Sequence, residues 1–154
     1  MTSARAVLAG VFGGICALVI AAPLMAHCGT SAAALAYAFF FPICHQRPER
    51  SFFFWGHPLA VCHRCTGIYL GLFIGSLIKN DFMHRSPGIR RTWILTAMTP
   101  LLLDLILQWI GIWKGTGFVR FSTGLIFGMT AAWLVVRGAE ELLQSAQWAF
   151  GSRR

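Results

Sequence analysis

Residues 6–26 read Ala-Val-Leu-Ala-Gly-Val-Phe-Gly-Gly-Ile-Cys-Ala-Leu-Val-Ile-Ala-Ala-Pro-Leu-Met-Ala, without one charged side chain. A helix needs about 20 such residues to cross the hydrocarbon of a bilayer. A secretory signal core runs to only about 7–15 residues, so the stretch reads as a retained membrane helix, with a signal anchor as the second choice. Three further apolar spans follow, at 65–83, 93–113 and 118–136. The second is short before Lys79, whose stem can snorkel to the interface.

These spans predict an all-α fold: one membrane domain over residues 1–154, a polytopic bundle of about four transmembrane helices. Ser31–Ile43 is apolar but too short to cross alone, and it ends at Pro42. It is expected to form a re-entrant or interfacial helix packed on the bundle, since re-entrant backbone is tolerated only where protein or water satisfies it. In the tail, Leu142, Leu143, Ala146, Ala149 and Phe150 recur at helical spacing opposite Glu140, Glu141, Gln144 and Gln147. That pattern predicts an amphipathic interfacial helix over 139–150.

Composition agrees. Hydrophobic residues make up 56% of the chain and charged ones 12%, where soluble domains carry about 25% charge. The formal net charge is +8, but the basic residues sit in short segments between spans, which is the pattern of membrane topology rather than of nucleic-acid binding. With four spans both termini share a side with the 79–93 loop. That side holds eight basic residues (Arg5, Lys79, Arg85, Arg90, Arg91, Arg137, Arg153, Arg154) against five on the other (Arg47, Arg50, Arg64, Lys114, Arg120). The positive-inside rule then places the termini in the cytoplasm and the 44–65 segment outside.

Gly67, Gly71 and Gly75 fall on one face of the second span, and Gly124 and Gly128 on one face of the fourth. Small residues let helices approach closely in lipid. Such faces suit packing within the bundle, and they are also compatible with membrane-protein partners or a homo-oligomer.

The chemistry concentrates between Cys44 and Cys65. Three of five cysteines and three of five histidines lie there, with Cys62-His63-Arg64-Cys65 as a CxxC pair. That spacing serves a redox pair, a plain disulfide or half a metal site. Cys65 is expected at the start of a helix, where backbone N–H groups favour thiolate. Cys16 reads as a core residue, and Cys28 beside His27 is ambiguous. His57 reads as a loop residue and His84 as solvated.

In the third span Asp104 and Gln108 stand one turn apart, and Arg120 opens the fourth span with Thr123 and Gly124 a turn deeper. An intramembrane carboxylate is a functional candidate by default. An Asp104–Arg120 ion pair that merely joins helices is the bland alternative. Glu49–Arg50 is a surface pair or offers a carboxylate to Arg120. The chain has no phosphate-cradling loop and no haem-attachment pattern, because Thr66 follows Cys65.

Cys-His-Gln-x-Pro-Glu-Arg-Ser-Phe from Cys44, followed by Val-Cys-x-Arg-Cys-Thr-Gly-Ile-Tyr-Leu-Gly to Gly71, resembles a family of small prokaryotic integral membrane proteins of unknown function. A weaker likeness continues through Asp104, Gln108, Arg120, Thr123 and Gly124. The resemblance implies a multi-span protein of the prokaryotic cytoplasmic (inner) membrane with Cys44, His45, Cys62 and Cys65 as its signature. The family usually has a small residue at position 63, which argues against His63 as a shared ligand.

Three functions follow from the residues. The first is metal binding by Cys44, His45, Cys62 and Cys65, an S3N set suited to zinc, with copper or iron as softer-site alternatives. Adjacent Cys44 and His45 share one ion only with contortion, so His57 or His63 is an alternative fourth ligand. If water holds one position, Asp104 or Glu49 is the candidate base. The second is a quinone-linked thiol oxidoreductase using Cys62 and Cys65, with Cys44 exchanging through a mixed disulfide and Gln108 or Arg120 on a quinone carbonyl. The third is an accessory subunit of a larger complex, stapled by its cysteines.

Overall fold

The computed structural model describes residues 3–78 and 87–151. Its elements are α1 (Ser3–His27), α2 (Ala32–Phe40), a 3-10 turn (Pro48–Arg50), β1 (Phe53–Phe54), β2 (His57–Pro58), α3 (His63–Leu77), α4 (Pro87–Trp109) and α5 (Gly117–Gly151). The expected readings of Lys79, His84, Arg85, Arg153 and Arg154 lie outside the described residues, as does the end of the 65–83 span.

Among the described residues, three helices are long and apolar enough to cross a membrane: Ala4–His27, Arg91–Trp109 and Gly117–Ala146. The second expected span differs. Its helix stops at Leu77 after 15 residues, and Ile78 is extended, so at 1.5 Å per residue it reaches only about 22 Å. The Arg5 guanidinium donates to the Ile78 carbonyl at 2.8 Å, a cation on the carbonyls that end a helix. No residue of α3 from His63 to Ser76 is exposed, because α1 and α5 cover it. The helix therefore presents little surface to lipid. The lipid-facing side chains belong to its longer neighbours, among them Val11, Ile20, Leu103 and Leu134.

Residue contacts fix the directions. Gly13 on α1 faces Phe73 on α3, while Arg5 meets Ile78, so α1 and α3 run antiparallel. Gly67 lies on Phe121 and Leu125, and Gly75 on Met129 and Ala132, so α3 and α5 run parallel. The glycine faces expected from the sequence are packed on one another. A Cβ on Gly71 would sit 2.8 Å from the Met129 nitrogen, and one on Gly75 2.7 Å from the Met129 carbonyl oxygen. Gly124 and Gly128 return the contact against Arg64 and Ile68. Both stripes are thereby filled within the chain, which removes them as seats for partner helices.

Two boundaries move for local reasons. The third span was expected to reach 113, but α4 ends at Trp109. Gly111 adopts φ +82°, and its N–H bonds the Gln108 carbonyl at 3.2 Å, the left-handed stop that glycine supplies without strain. The tail is not a separate interfacial helix. It continues α5, which runs unbroken for 35 residues, about 52 Å, longer than the roughly 30 Å hydrocarbon core. Nothing between 137 and 146 breaks the helix, and Arg137 Nε pairs with Glu141 Oε1 one turn on at 2.9 Å.

The expected short helix over 31–43 is present as α2, followed by a turn. Ala36 and Phe40 share a buried cluster with Val19 and Ala22 of α1 and with Cys44, Leu59, Ala60 and Val61. It thus packs back along α1, reaching Val19, two turns before that helix ends. This cluster closes the end of the bundle opposite Arg5, Ile78 and Glu140.

Gly71→Ala is expected to lower stability by about 1–3 kcal/mol, the cost of overpacking a filled seam. Gly14→Ala, where a Cβ meets nothing within 4 Å, is expected to be neutral or stabilising by up to about 1 kcal/mol. Thermal unfolding of both variants in detergent, followed by tryptophan fluorescence, checks the contrast.

Candidate metal centre

The cysteines of the cluster are placed by two segments, the turn after α2 and the start of α3. Cys44 ends the turn after α2, where its N–H bonds the Phe40 carbonyl at 2.9 Å, and it is buried. Cys62 is the N-cap residue of α3, in extended backbone. Cys65 lies one turn into the helix. The loop between them is braced. Gln46, held at φ +46°, sends its Nε2 to the Tyr37 carbonyl at 2.6 Å, and the Tyr37 hydroxyl donates to the Pro58 carbonyl at 2.5 Å. Trp55 and Gly56, both at positive φ, turn a two-residue hairpin that pairs Phe54 with His57, a geometry preferred for tight antiparallel turns.

The three sulfurs converge to within 4.8 Å of one another. The Cys62 N–H donates to Cys44 Sγ at 3.2 Å, which ties the upstream cysteine to the start of α3. Hydrogen bonds from the Cys44 and Cys65 thiols hold the Cys62 thiol far below the ordinary thiol range. All five cysteines are free of disulfides. Cys16 and Cys28 lie outside the cluster.

The histidines expected as a fourth ligand stand apart from this group. His45 is exposed on the wall of the adjoining pocket. His57 faces His27 with ring centroids 6.4 Å apart, and His63 packs edge-on against Phe52 at 4.3 Å. Among the described residues, the metal-capable donors are therefore the three thiols. A four-coordinate ion held by them keeps one position for an exogenous ligand, the plan of zinc sites that do chemistry.

Behind the cysteines lies a second polar group. Asp104 pairs with Arg64, not with Arg120 as the bland reading held. Arg120 Nη2 instead donates to the Lys114 carbonyl at 2.5 Å. Because α4 ends at Trp109, Asp104 is about 8 Å from the helix end, shallower than a span reaching 113 would leave it. Gln108 Nε2 and Arg120 Nε converge where Gly115, at φ +61°, leaves room; a Cβ there would meet them at 2.9 and 3.2 Å. Buried polar atoms without a protein partner gather at this end: Arg64 Nε, Asp104 Oδ1, Gln108 Nε2 and Arg120 Nε. Glu49 stands exposed on the 3-10 turn.

The partner of Asp104 was the residue that sequence reasoning missed. The signal was present: Arg64 lies inside the CxxC, one helical turn before Ile68 on the face that packs on Gly124 and Gly128, close to a lone intramembrane carboxylate.

A family profile described as predicted membrane protein, DUF2085, matches residues 44–134. The uncharacterized protein MJ1492 of Methanocaldococcus jannaschii is 37% identical over 103 residues, which cover 65% of each chain. An uncharacterized protein of Methanothermobacter thermautotrophicus is 39% identical over 90 residues, 58% of this chain and 81% of that one. The match thus spans somewhat less than two thirds of the length of MJ1492. No solved structure matches.

Two outcomes follow from this geometry. Asp104→Asn is expected to destabilise the bundle by somewhat less than the roughly 3–5 kcal/mol of a fully buried pair, since Arg64 keeps 20% of its side chain exposed. Adding Arg64→Gln should recover part of the loss in a double-mutant cycle of unfolding midpoints. In metal-free protein the lowered thiol pKa keeps Cys62 as thiolate when pH falls. Its alkylation rate should therefore be nearly flat between about pH 8 and 6, where an ordinary thiol slows by roughly a hundredfold. Peptide mapping after iodoacetamide pulses reads the rate.

Proposed function

The chain belongs to the DUF2085 family of membrane proteins, and from that premise we propose that it binds one thiophilic metal ion at the outward end of its bundle. Zinc is the first choice, with copper(I) or iron as alternatives that thiolate ligands also accept. The observation that carries the reading is the convergence of three sulfurs from two separate segments within 4.8 Å. Tetrahedral zinc with bonds of about 2.3 Å needs its sulfurs roughly 3.8 Å apart. A metal ion would engage all three thiols at once, a disulfide only two.

Three protein ligands would leave a bound ion one open position. An ion of this kind acts as a Lewis acid or lowers the pKa of bound water. Asp104 is committed to Arg64, which leaves His45, on the pocket wall, as the group nearer the mouth for proton transfer. The site faces outward from the prokaryotic cytoplasmic membrane, with both termini cytoplasmic, as the charge bias supports.

One observation favours a second reading, the quinone-linked thiol oxidoreductase. Gln108 and Arg120 bring two unpartnered donors together over Gly115, an arrangement suited to a carbonyl oxygen. A redox enzyme tolerates chelators, whereas a metal protein loses stability with its ion.

Elemental analysis of protein purified anaerobically in mild detergent separates the two. The metal reading predicts one equivalent, lost in Cys44→Ser, Cys62→Ser and Cys65→Ser. Cys16→Ser, Cys28→Ser and His45→Ala should retain it. Metal-free wild type that stays folded and cycles a Cys62–Cys65 disulfide would establish the redox reading instead.

A further inference from the structure

Beside the three sulfurs opens a pocket of about 330 Å³. Cys44, Cys62 and Cys65 line it together with Arg47, Arg50 and Arg64. The local fold explains why two of these arginines act together. In a 3-10 turn, residues three apart eclipse one another. The Arg50 N–H bonds the Arg47 carbonyl at 3.0 Å, and Ser51, itself buried, donates its hydroxyl to the same carbonyl at 3.0 Å. Both arginines are thereby set on the pocket side, while Glu49 between them does not line it.

The charges there do not cancel. Three thiolates on a divalent ion leave one negative charge. Arg64 is neutralised by Asp104. Arg47 and Arg50 have no acidic partner among the described residues, and Arg120 lies close enough to repel Arg50 and Arg64. Over the groups that line the pocket the surplus is about one positive charge.

We propose that the pocket binds a phosphate-type oxyanion, held by Arg47 and Arg50 above the metal and able to reach its open position. The inference rests on the metal reading for its charge balance. A phosphate-type anion meets the surplus, and guanidinium forks match phosphate oxygens two at a time. The volume lies at the small end of ligand pockets, which run from about 300 to 1,000 Å³. It suits inorganic phosphate or a single headgroup. Ile43, exposed on the rim beside the exposed Phe41, offers an apolar edge that a lipid tail would use and a soluble ion would not.

The test uses zinc-loaded full-length protein in phosphate-free maltoside micelles. Inorganic phosphate is titrated in one arm by calorimetry. Phosphatidylglycerol doped into the micelles is titrated in the other. Saturable binding in either arm, weakened at least tenfold by Arg47→Gln/Arg50→Gln with zinc content unchanged, supports the proposal, and the arm that responds names the source. No binding in either arm to zinc-replete protein, or equal binding by the double variant, overturns it while leaving the metal reading intact. Wild type that holds no zinc overturns both, and the zinc assay alone reveals that case.

Discussion

Helix α3 lies on α5 backbone to backbone, and the site depends on that contact. Gly67, Gly71 and Gly75 on one side and Gly124 and Gly128 on the other remove every side chain that would separate the axes. Without a hydrophobic drive between helices in lipid, such close packing is the main source of association. The seam also sets register. It fixes the first turn of α3, and therefore Cys62, Arg64 and Cys65, at the level of Phe121 and Gly124. Arg120 is then level with the site, and α4 returns Asp104 and Gln108 to the same height.

A short central helix follows from the same constraint. Covered by α1 and α5, α3 has no need to match the bilayer with its own length. Its first turn can begin below the outer boundary of the bundle, which leaves a recess over the cysteines. Beneath that recess, Phe40 of α2 and Leu59 and Val61 of the segment after the hairpin share one buried cluster with Cys44. The thiols therefore sit between an apolar cluster and an arginine-lined mouth, a setting in which charge on sulfur is stabilised by specific bonds rather than by bulk water.

Much of this was legible from the sequence because its periodicities are strong. Residues 6–26 mark α1 to within three residues at its start and one at its end, and the glycine spacing gave the helix faces that touch. CxxC with an upstream cysteine gave all three convergent donors. What was not legible depended on geometry that no local pattern encodes. His45 is adjacent to Cys44 in sequence, but the turn that buries one exposes the other. Asp104 had two arginines within plausible reach, and only the parallel packing of α3 and α5 brings Arg64 to it. The stop of α4 at Trp109 was written in Gly111, yet the apolar run through Trp113 masked it. The tail's amphipathic pattern was real, but a continuous helix carries it as well as a separate one.

X-ray absorption at the metal edge of the purified protein tests the central claim most directly. The account predicts three sulfur scatterers at about 2.3 Å and one lighter oxygen or nitrogen atom near 2.0 Å. A shell of nitrogen and oxygen alone would contradict it, because the ion would then lie away from Cys44, Cys62 and Cys65.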